Sequence, residues 1–398
     1  MDVRTHVANG QPLKILMTAG EVSGDRQAAH LARTLLRLNN SIQLYGCGGN
    51  EMHSAGVDIR TQTAQLGCIG LQESARFARP LKSAIQELSK VVRSERPDLA
   101  VLVDSEHFNR PVARLLVEQQ IPFIYYFPPQ VWLWGRWRAK AVAKRSKMII
   151  PAFSAEVDIY REKGGRVEWC GHPLLDLVKP EKDHQKIFMQ AGLDPQRPTV
   201  AILPGSRLQE LDELAPSMLA AARQIKQRHP KLQFILPLAA PHLLSQIQKQ
   251  IAEAQMTQEI RIIQQHVYTC LSRCEVIMLS SGTATLEAGL LGVPMVVGYR
   301  VTPLTFFVAR RVVNTRFIAM PNILLNEGIV PELIQKEFTI QHLMAETLDI
   351  LENKTRSNWI RNHLRKIPPL LGTEGSIARA ATLILNEAAS TAALMRAH

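Results

Sequence analysis

Twice along this chain, short apolar runs alternate with longer stretches whose apolar residues recur three and four positions apart. That pattern demands a parallel β-sheet with helices on both faces. The first series is "LKILMTAGEV" (13–22), "SIQLYGCGG" (41–49), "PDLAVLVDS" (97–105), "IPFIYYF" (121–127), "KMIIPAF" (147–153) and "RVEWCGH" (166–172). Each run predicts a strand buried on both faces. Between them lie helical stretches such as "DRQAAHLARTLLRLN", where Ala28, Leu31, Ala32, Leu35 and Leu36 share one stripe. A polar segment with two prolines, "HPLLDLVKPEKDHQ" (172–185), ends the series. It restarts with "TVAILPGS" (199–206), "LQFILPLA" (232–239), "EIRIIQ" (259–264), "EVIMLSSG" (275–282) and "PMVVGY" (294–299), separated by helical segments around 208–228, 242–255, 266–273 and 283–291. The expectation is an α/β chain of two domains, 1–175 and 176–340, with a linker near 175–190. Residues 341–398 then form a helical tail that packs back toward the first domain or a partner subunit.

A chain of 398 residues, 46 % of them apolar, is long enough for two cores. No apolar run reaches the roughly 18–20 residues that cross a bilayer. The start, "MDVRTHVANGQPLK", is polar and reads as no secretory signal, so a cytoplasmic protein is expected. Five scattered cysteines, an odd count, fit reduced thiols. Cys270 and Cys274 are four apart but lack the further ligands of a zinc site.

The net charge of +12 points to an anionic partner: a phosphorylated ligand, a lipid surface or a nucleic acid. The densest basic stretch, "WLWGRWRAKAVAKRSK" (132–147), mixes Trp132, Trp134 and Trp137 with six cations and no acid. It suits a membrane interface, or equally a solvated helix whose tryptophans are core. No nucleic-acid recognition motif accompanies it, and no nucleic acid is expected.

Doubly wound units bind ligands at the carboxyl ends of their strands, so the turns there are where chemistry is expected. "TAGEVSGD" (18–25) offers Gly20, Glu21, Ser23, Gly24 and Asp25. Ser23 is a candidate N-cap and Asp25 suits a first helical turn, while Glu21 and the glycines suggest a backbone open to approach. "VLVDSEHFN" (101–109) delivers Asp104 to a strand end, where partial desolvation would fit a general base, with His107 exposed beside it. "LPGSRLQEL" (203–211) turns Gly205 and Ser206 into a helix carrying Arg207 and Glu210, an arrangement suited to a diphosphate. In "SSGTATLEAG" the helix start holds Ser281, Gly282 and Thr283, with Glu287 one turn on, where a carboxylate can accept from ribose hydroxyls. There is no P-loop, no dinucleotide fingerprint, no H-E-x-x-H and no D-x-D, so neither cofactor nor metal is expected.

In order, "AGEVSGD", "IGLQE", "PDLAVLVD…FN", "VWLW", "GHPLLD", "LPGSR…E", "SSGTATLE", "PMVVGYR", "TFFVARRVV" and "MPNILL" closely resemble the lipid-A-disaccharide synthases, from about residue 13 to beyond 335. The resemblance implies a GT-B glycosyltransferase: two Rossmann-like domains facing a cleft, metal-independent inverting transfer, and peripheral association with the inner membrane. It implies that UDP-2,3-diacylglucosamine and 2,3-diacylglucosamine 1-phosphate are joined with release of UDP, and it is compatible with a homodimer. By motif, Asp104 matches the general base. Arg207, Glu287 and Asn322 match positions tied to the donor or to activity, Glu21 and Asp25 match the N-terminal motif, and Gly70 and Glu73 match an acceptor-side loop. The chain departs from the family pattern at His107, Pro128 and Gln130, all on the acceptor side. "PLTFFVARRVV" (303–313) reads as an amphipathic interface or a core helix with a basic end. Alternatives are another UDP-sugar transferase, a 2-epimerase, or a non-catalytic binder of nucleotide sugars or anionic lipids.

Overall fold

The computed structural model describes residues 12–63, 71–302, 306–307 and 315–396, and of residues 71–78 and 396 the backbone alone. It contains two compact units, each with its own six-stranded parallel sheet.

The first unit runs to Asp176 and takes in the chain again from Leu371. Its strands are β1 (Lys14–Ala19), β2 (Gln43–Gly48), β3 (Asp58–Gln62), β4 (Leu99–Val103), β5 (Phe123–Tyr126) and β6 (Met148–Ile150), in the order β3-β2-β1-β4-β5-β6. Met17 of β1 lies beside Gly46 of β2 and Val101 of β4, the middle of the register. The two-residue alternation of a strand sends Ile15 and Met17 to one face and Leu16 to the other. One face packs on the helices Val22–Leu38 and Ser376–Arg396 through Ala28, Leu31, Ala380 and Ile384. The other packs on Leu71–Glu95 and Glu106–Glu118 through Leu88, Val92, Val112 and Leu116. Each such side chain, fully buried, stabilises by about 1.5–3 kcal/mol. The final helix is fastened by Asp176, whose carboxylate accepts the Gly375 N–H (2.5 Å), the Ile377 N–H (3.0 Å) and the Ser376 hydroxyl (3.1 Å).

The second unit spans Leu177 to Leu370. Its strands are β7 (Thr199–Leu203), β8 (Gln233–Pro237), β9 (Ile260–Ile263), β10 (Val276–Ser280), β11 (Met295–Tyr299) and β12 (Glu332–Ile334), ordered β12-β11-β10-β7-β8-β9. Helices Leu208–Arg228 and Ile340–Glu352 pack together beside this sheet.

Three details differ from the sequence reading. β3 and β12 are additional strands. Both are sheet edges, and neither carries the continuous apolar run of a central strand: β3 alternates partly buried with exposed residues, and β12 is three residues long. Conversely, 166–172 contributes only the isolated bridge of Val167 to Ile149 rather than a strand.

Candidate functional site

In both sheets the first strand has its later neighbours wound to opposite sides, which puts a switch point between β1 and β4 and another between β7 and β10. The four turns singled out from sequence follow those four strands.

In the first unit the turns after β1 and β4 pack on each other. A Cβ on Gly20 would stand 2.4 Å from the Phe108 Cβ and 2.5 Å from the Ser105 hydroxyl, so only glycine fits. One on Gly24 would stand 3.4 Å from the Val103 carbonyl and 3.5 Å from the Asp104 Cβ. The space expected for a visiting molecule at these glycines is therefore filled by the chain's own β4 turn. Ser23 is not the N-cap, a position that falls to Glu21. The Ser23 hydroxyl instead lies 3.4 Å from Asp104 Oδ2. Asp25, 3 % exposed, accepts the N–H groups of Gly49 (2.7 Å), Glu51 (3.1 Å) and Met52 (3.2 Å), anchoring the start of the helix Asn50–Ser54.

Asp104 is half-buried and left-handed, with φ 50°, and Ser105 follows with φ 43°. Such residues cost about 1–3 kcal/mol each and persist only where their surroundings impose them. Here Asn109 does so. Its Nδ2 donates to the carbonyls of Asp104 (2.6 Å) and Val103 (3.0 Å), while its Oδ1 accepts from the Thr18 hydroxyl (2.6 Å). The Asp104 N–H donates to the Tyr126 carbonyl at 3.1 Å. His107 is exposed, as the sequence suggested. Asn109 carried no site signal beyond its place in the "FN" of the motif, because its role depends on the β1–β4 neighbourhood.

In the second unit Glu210 organises the turn after β7. Its carboxylate accepts the Ser206 N–H (3.0 Å) and the Arg207 guanidinium (2.9 Å), and a Cβ on Gly205 (φ 134°) would stand 2.3 Å from it. Tyr299, at the end of β11, has its phenol raised by burial and then by the Glu210 charge, with Arg207 opposing. The helix Thr283–Leu290 starts without a side-chain cap: the Ser281 hydroxyl donates to the Ile318 carbonyl (2.9 Å) and Thr283 is exposed. Beyond Gly282 and its two chain neighbours, no atom among the described residues lies within 4 Å of where a Gly282 Cβ would be, so this backbone is open to close approach. Glu287 accepts from the Tyr268 hydroxyl at 3.2 Å.

Asn322 has a different part from the donor contact expected of it. It is 1 % exposed, and its amide bonds the Val330 carbonyl, a Glu332 oxygen, and the N–H groups of Ile329 and Val330. Glu332 in turn accepts from the Ile318 and Ala319 amides, and burial raises its pKa despite these bonds. The pair shapes the loop that receives Ser281.

Gly70 lies outside the described residues, as does the Glu73 side chain, and of the 303–313 stretch only Phe306 and Phe307 are described. The 132–147 stretch divides between its two readings. Trp132 packs on Phe153, whereas Trp137 is 71 % exposed among exposed Arg136, Lys140, Lys144 and Arg145. Arg138 stacks on Trp134 and pairs with Glu106. Among the described residues no group of three or more His, Cys, Asp or Glu is arranged to hold a metal ion, and no helix is long and apolar enough to cross a membrane.

Comparison with known proteins agrees with this fold. The family model described as lipid-A-disaccharide synthetase matches residues 15–382. The lipid-A-disaccharide synthase of Geobacter sulfurreducens is 35 % identical over 372 residues, 94 % of this chain and 96 % of the relative. That of Coxiella burnetii is 34 % identical over 372 residues, 94 % and 98 % of the two chains. In fold, the chain is similar to a putative UDP-N-acetylglucosamine 2-epimerase from Listeria monocytogenes (TM-score 0.62, 14 % identity, 92 % and 94 % covered). It is similar also to a UDP-GlcNAc 2-epimerase from Neisseria meningitidis bound to UDP-GlcNAc (TM-score 0.57, 14 % identity, 94 % and 98 % covered). The architecture is that of GT-B enzymes.

Proposed function

This chain belongs to the lipid-A-disaccharide synthase family, and from that membership we propose that it joins UDP-2,3-diacylglucosamine to 2,3-diacylglucosamine 1-phosphate by metal-independent, inverting transfer. The products are the β-1,6 disaccharide and UDP. The observation that carries the mechanism is Asp104, held left-handed at the end of β4 by Asn109 and half-buried. Strain maintained by surrounding bonds marks a residue whose direction matters. Asp104 accepts the proton of the acceptor 6-hydroxyl as that oxygen attacks C1 of the donor sugar, and the C1–O bond to UDP breaks in the same displacement.

The diphosphate leaves as an anion, and two features of the second unit suit it. Arg207 supplies a guanidinium already oriented by Glu210, and the uncapped helix start at Gly282 supplies amide hydrogens. Glu287, braced by Tyr268, takes the ribose hydroxyls. The acyl chains of both substrates call for peripheral contact with the inner membrane from the cytoplasmic side. Exposed Trp137 and its surrounding cations support that contact.

The deciding experiment is mass spectrometry of the product from the diacylated donor and acceptor. A disaccharide 1-phosphate with four acyl chains, formed with one UDP, is expected. UDP release without it, or an epimerised nucleotide sugar from UDP-N-acetylglucosamine alone, would replace this reading.

A further inference from the structure

The second unit carries another concave surface, at the opposite edge of its sheet from the turns described above. Pro198, Leu232 and Glu275 immediately precede β7, β8 and β10, and they line a cleft of about 710 Å³. That volume lies within the roughly 300–1,000 Å³ of small-molecule sites. The helix Lys354–Leu364 forms another wall, presenting Lys354, Ser357, Asn358 and Arg361 at the three- and four-residue spacing of one helical face. Strands of five residues at about 3.3 Å each put this edge roughly 16 Å from the turns that follow β7 and β10. The cleft is therefore separate from Arg207 and Gly282.

The charges around this cleft do not balance. Arg361 is held in its wall: the guanidinium donates to the carbonyls of Gly292 (3.2 Å) and Glu275 (3.2 Å) and pairs with the Glu275 carboxylate (3.4 Å). Glu352 is engaged by His229 (2.9 Å), and Glu346 and Asp349 are engaged by Arg356. Arg228, Lys231 and Lys354 also line the cleft and are exposed, and their side chains have no ion-pair or hydrogen-bond partner among the described residues. Like charges around one concavity on a low-dielectric floor concentrate anions there. Much of the remaining lining is apolar: buried Leu232 and Ile350, half-buried Leu351, and exposed Pro198 and Pro230. Arg361 also lines an adjoining hollow of about 290 Å³, whose apolar surface comes from Leu290, Leu291, Leu364 and Pro368. An inorganic anion would use the cations alone, whereas a phosphate carried on an apolar body uses both surfaces.

We propose that this edge of the second unit is a non-catalytic binding site for an organic phosphate: Arg228, Lys231 and Lys354 hold the phosphate group, and the apolar lining beside Arg361 takes the body that carries it. The site goes beyond the transfer reaction proposed above and does not depend on it. A lipid headgroup and a soluble phosphate ester present the same chemistry, and the probes below tell them apart.

Calorimetric titration of the full chain tests this without relying on turnover. The probes are dihexanoyl phosphatidic acid below its micelle concentration, phenyl phosphate and inorganic phosphate. One of the two organic phosphates is expected to bind about tenfold or more tighter than inorganic phosphate, and which one does so names the source as lipid or soluble ester. Arg228→Ala and Lys354→Ala should each weaken that binding about fivefold, while Arg207→Ala leaves it unchanged. Both substituted side chains are exposed and unpartnered among the described residues, so the thermal midpoint should stay constant and loss of binding cannot be ascribed to unfolding. No binding of either organic phosphate, inorganic phosphate binding as tightly as both, or an affinity untouched in the Arg228→Ala, Lys354→Ala double variant would each overturn the proposal. Binding lost in Arg207→Ala but kept in that double variant would place the ligand at the other edge of the sheet and overturn it too.

Discussion

Asn109 holds two consecutive left-handed residues with one amide, and the direction of the Asp104 carboxylate follows from it. If that carboxylate is the base, Asp104→Ala lowers turnover by about 10²–10⁴ while the Kd for UDP stays nearly constant. Steady-state rates together with calorimetric titration of UDP check both halves. Gly20→Ala forces a Cβ to within 2.4 Å of Phe108 and so pushes the β1 and β4 turns apart. A loss of about 1–3 kcal/mol in urea unfolding is expected, with turnover falling too. The Glu156 carboxyl, desolvated by burial, carries a pH signature. Its value is raised from 4.5 to about 8 on folding, so its contribution to stability is full below 4.5 and is lost as pH rises through 8. The urea midpoint of wild type therefore falls between pH 5 and 9, and Glu156→Gln flattens that fall.

Among elements, the helix starts do different jobs that look alike in sequence. The helix Asn50–Ser54 is anchored by Asp25 and the final helix by Asp176, both through buried or half-buried carboxylates. Those carboxylates meet the unpaired amides of a helix start from a distant part of the chain. The helix Thr283–Leu290 is left uncapped because Ser281 turns to Ile318. Asp176→Ala removes three hydrogen bonds at once, and thermal unfolding should show a loss of about 1–2 kcal/mol. The central strands were legible from their apolar runs, and so were the turns that end them. The edge strands β3 and β12 were not, because an edge needs less apolar character and leaves a weaker pattern.

At the scale of the molecule, the net charge of +12 is one of solubility and partner choice. The exposed Trp137 with Arg136, Lys140, Lys144 and Arg145 predicts flotation with vesicles containing anionic lipid and little with neutral vesicles. Trp137→Ala combined with Lys140→Ala should weaken flotation without changing the thermal midpoint. Unchanged flotation would remove this surface from membrane contact. The sequence by itself determined the class of fold, the two sheets, the four strand-end turns and the family, because periodicity and motif order are local properties of a chain. Only tertiary structure decided what those turn residues do. Gly20, Asp25 and Asn322 are satisfied by partners on other elements, Asn109 gained its importance from neighbours brought beside it by strand order, and Glu156 from its burial within the first unit. Hydrogen bonds and desolvation act between atoms close in space, and which atoms those are is fixed when the chain folds.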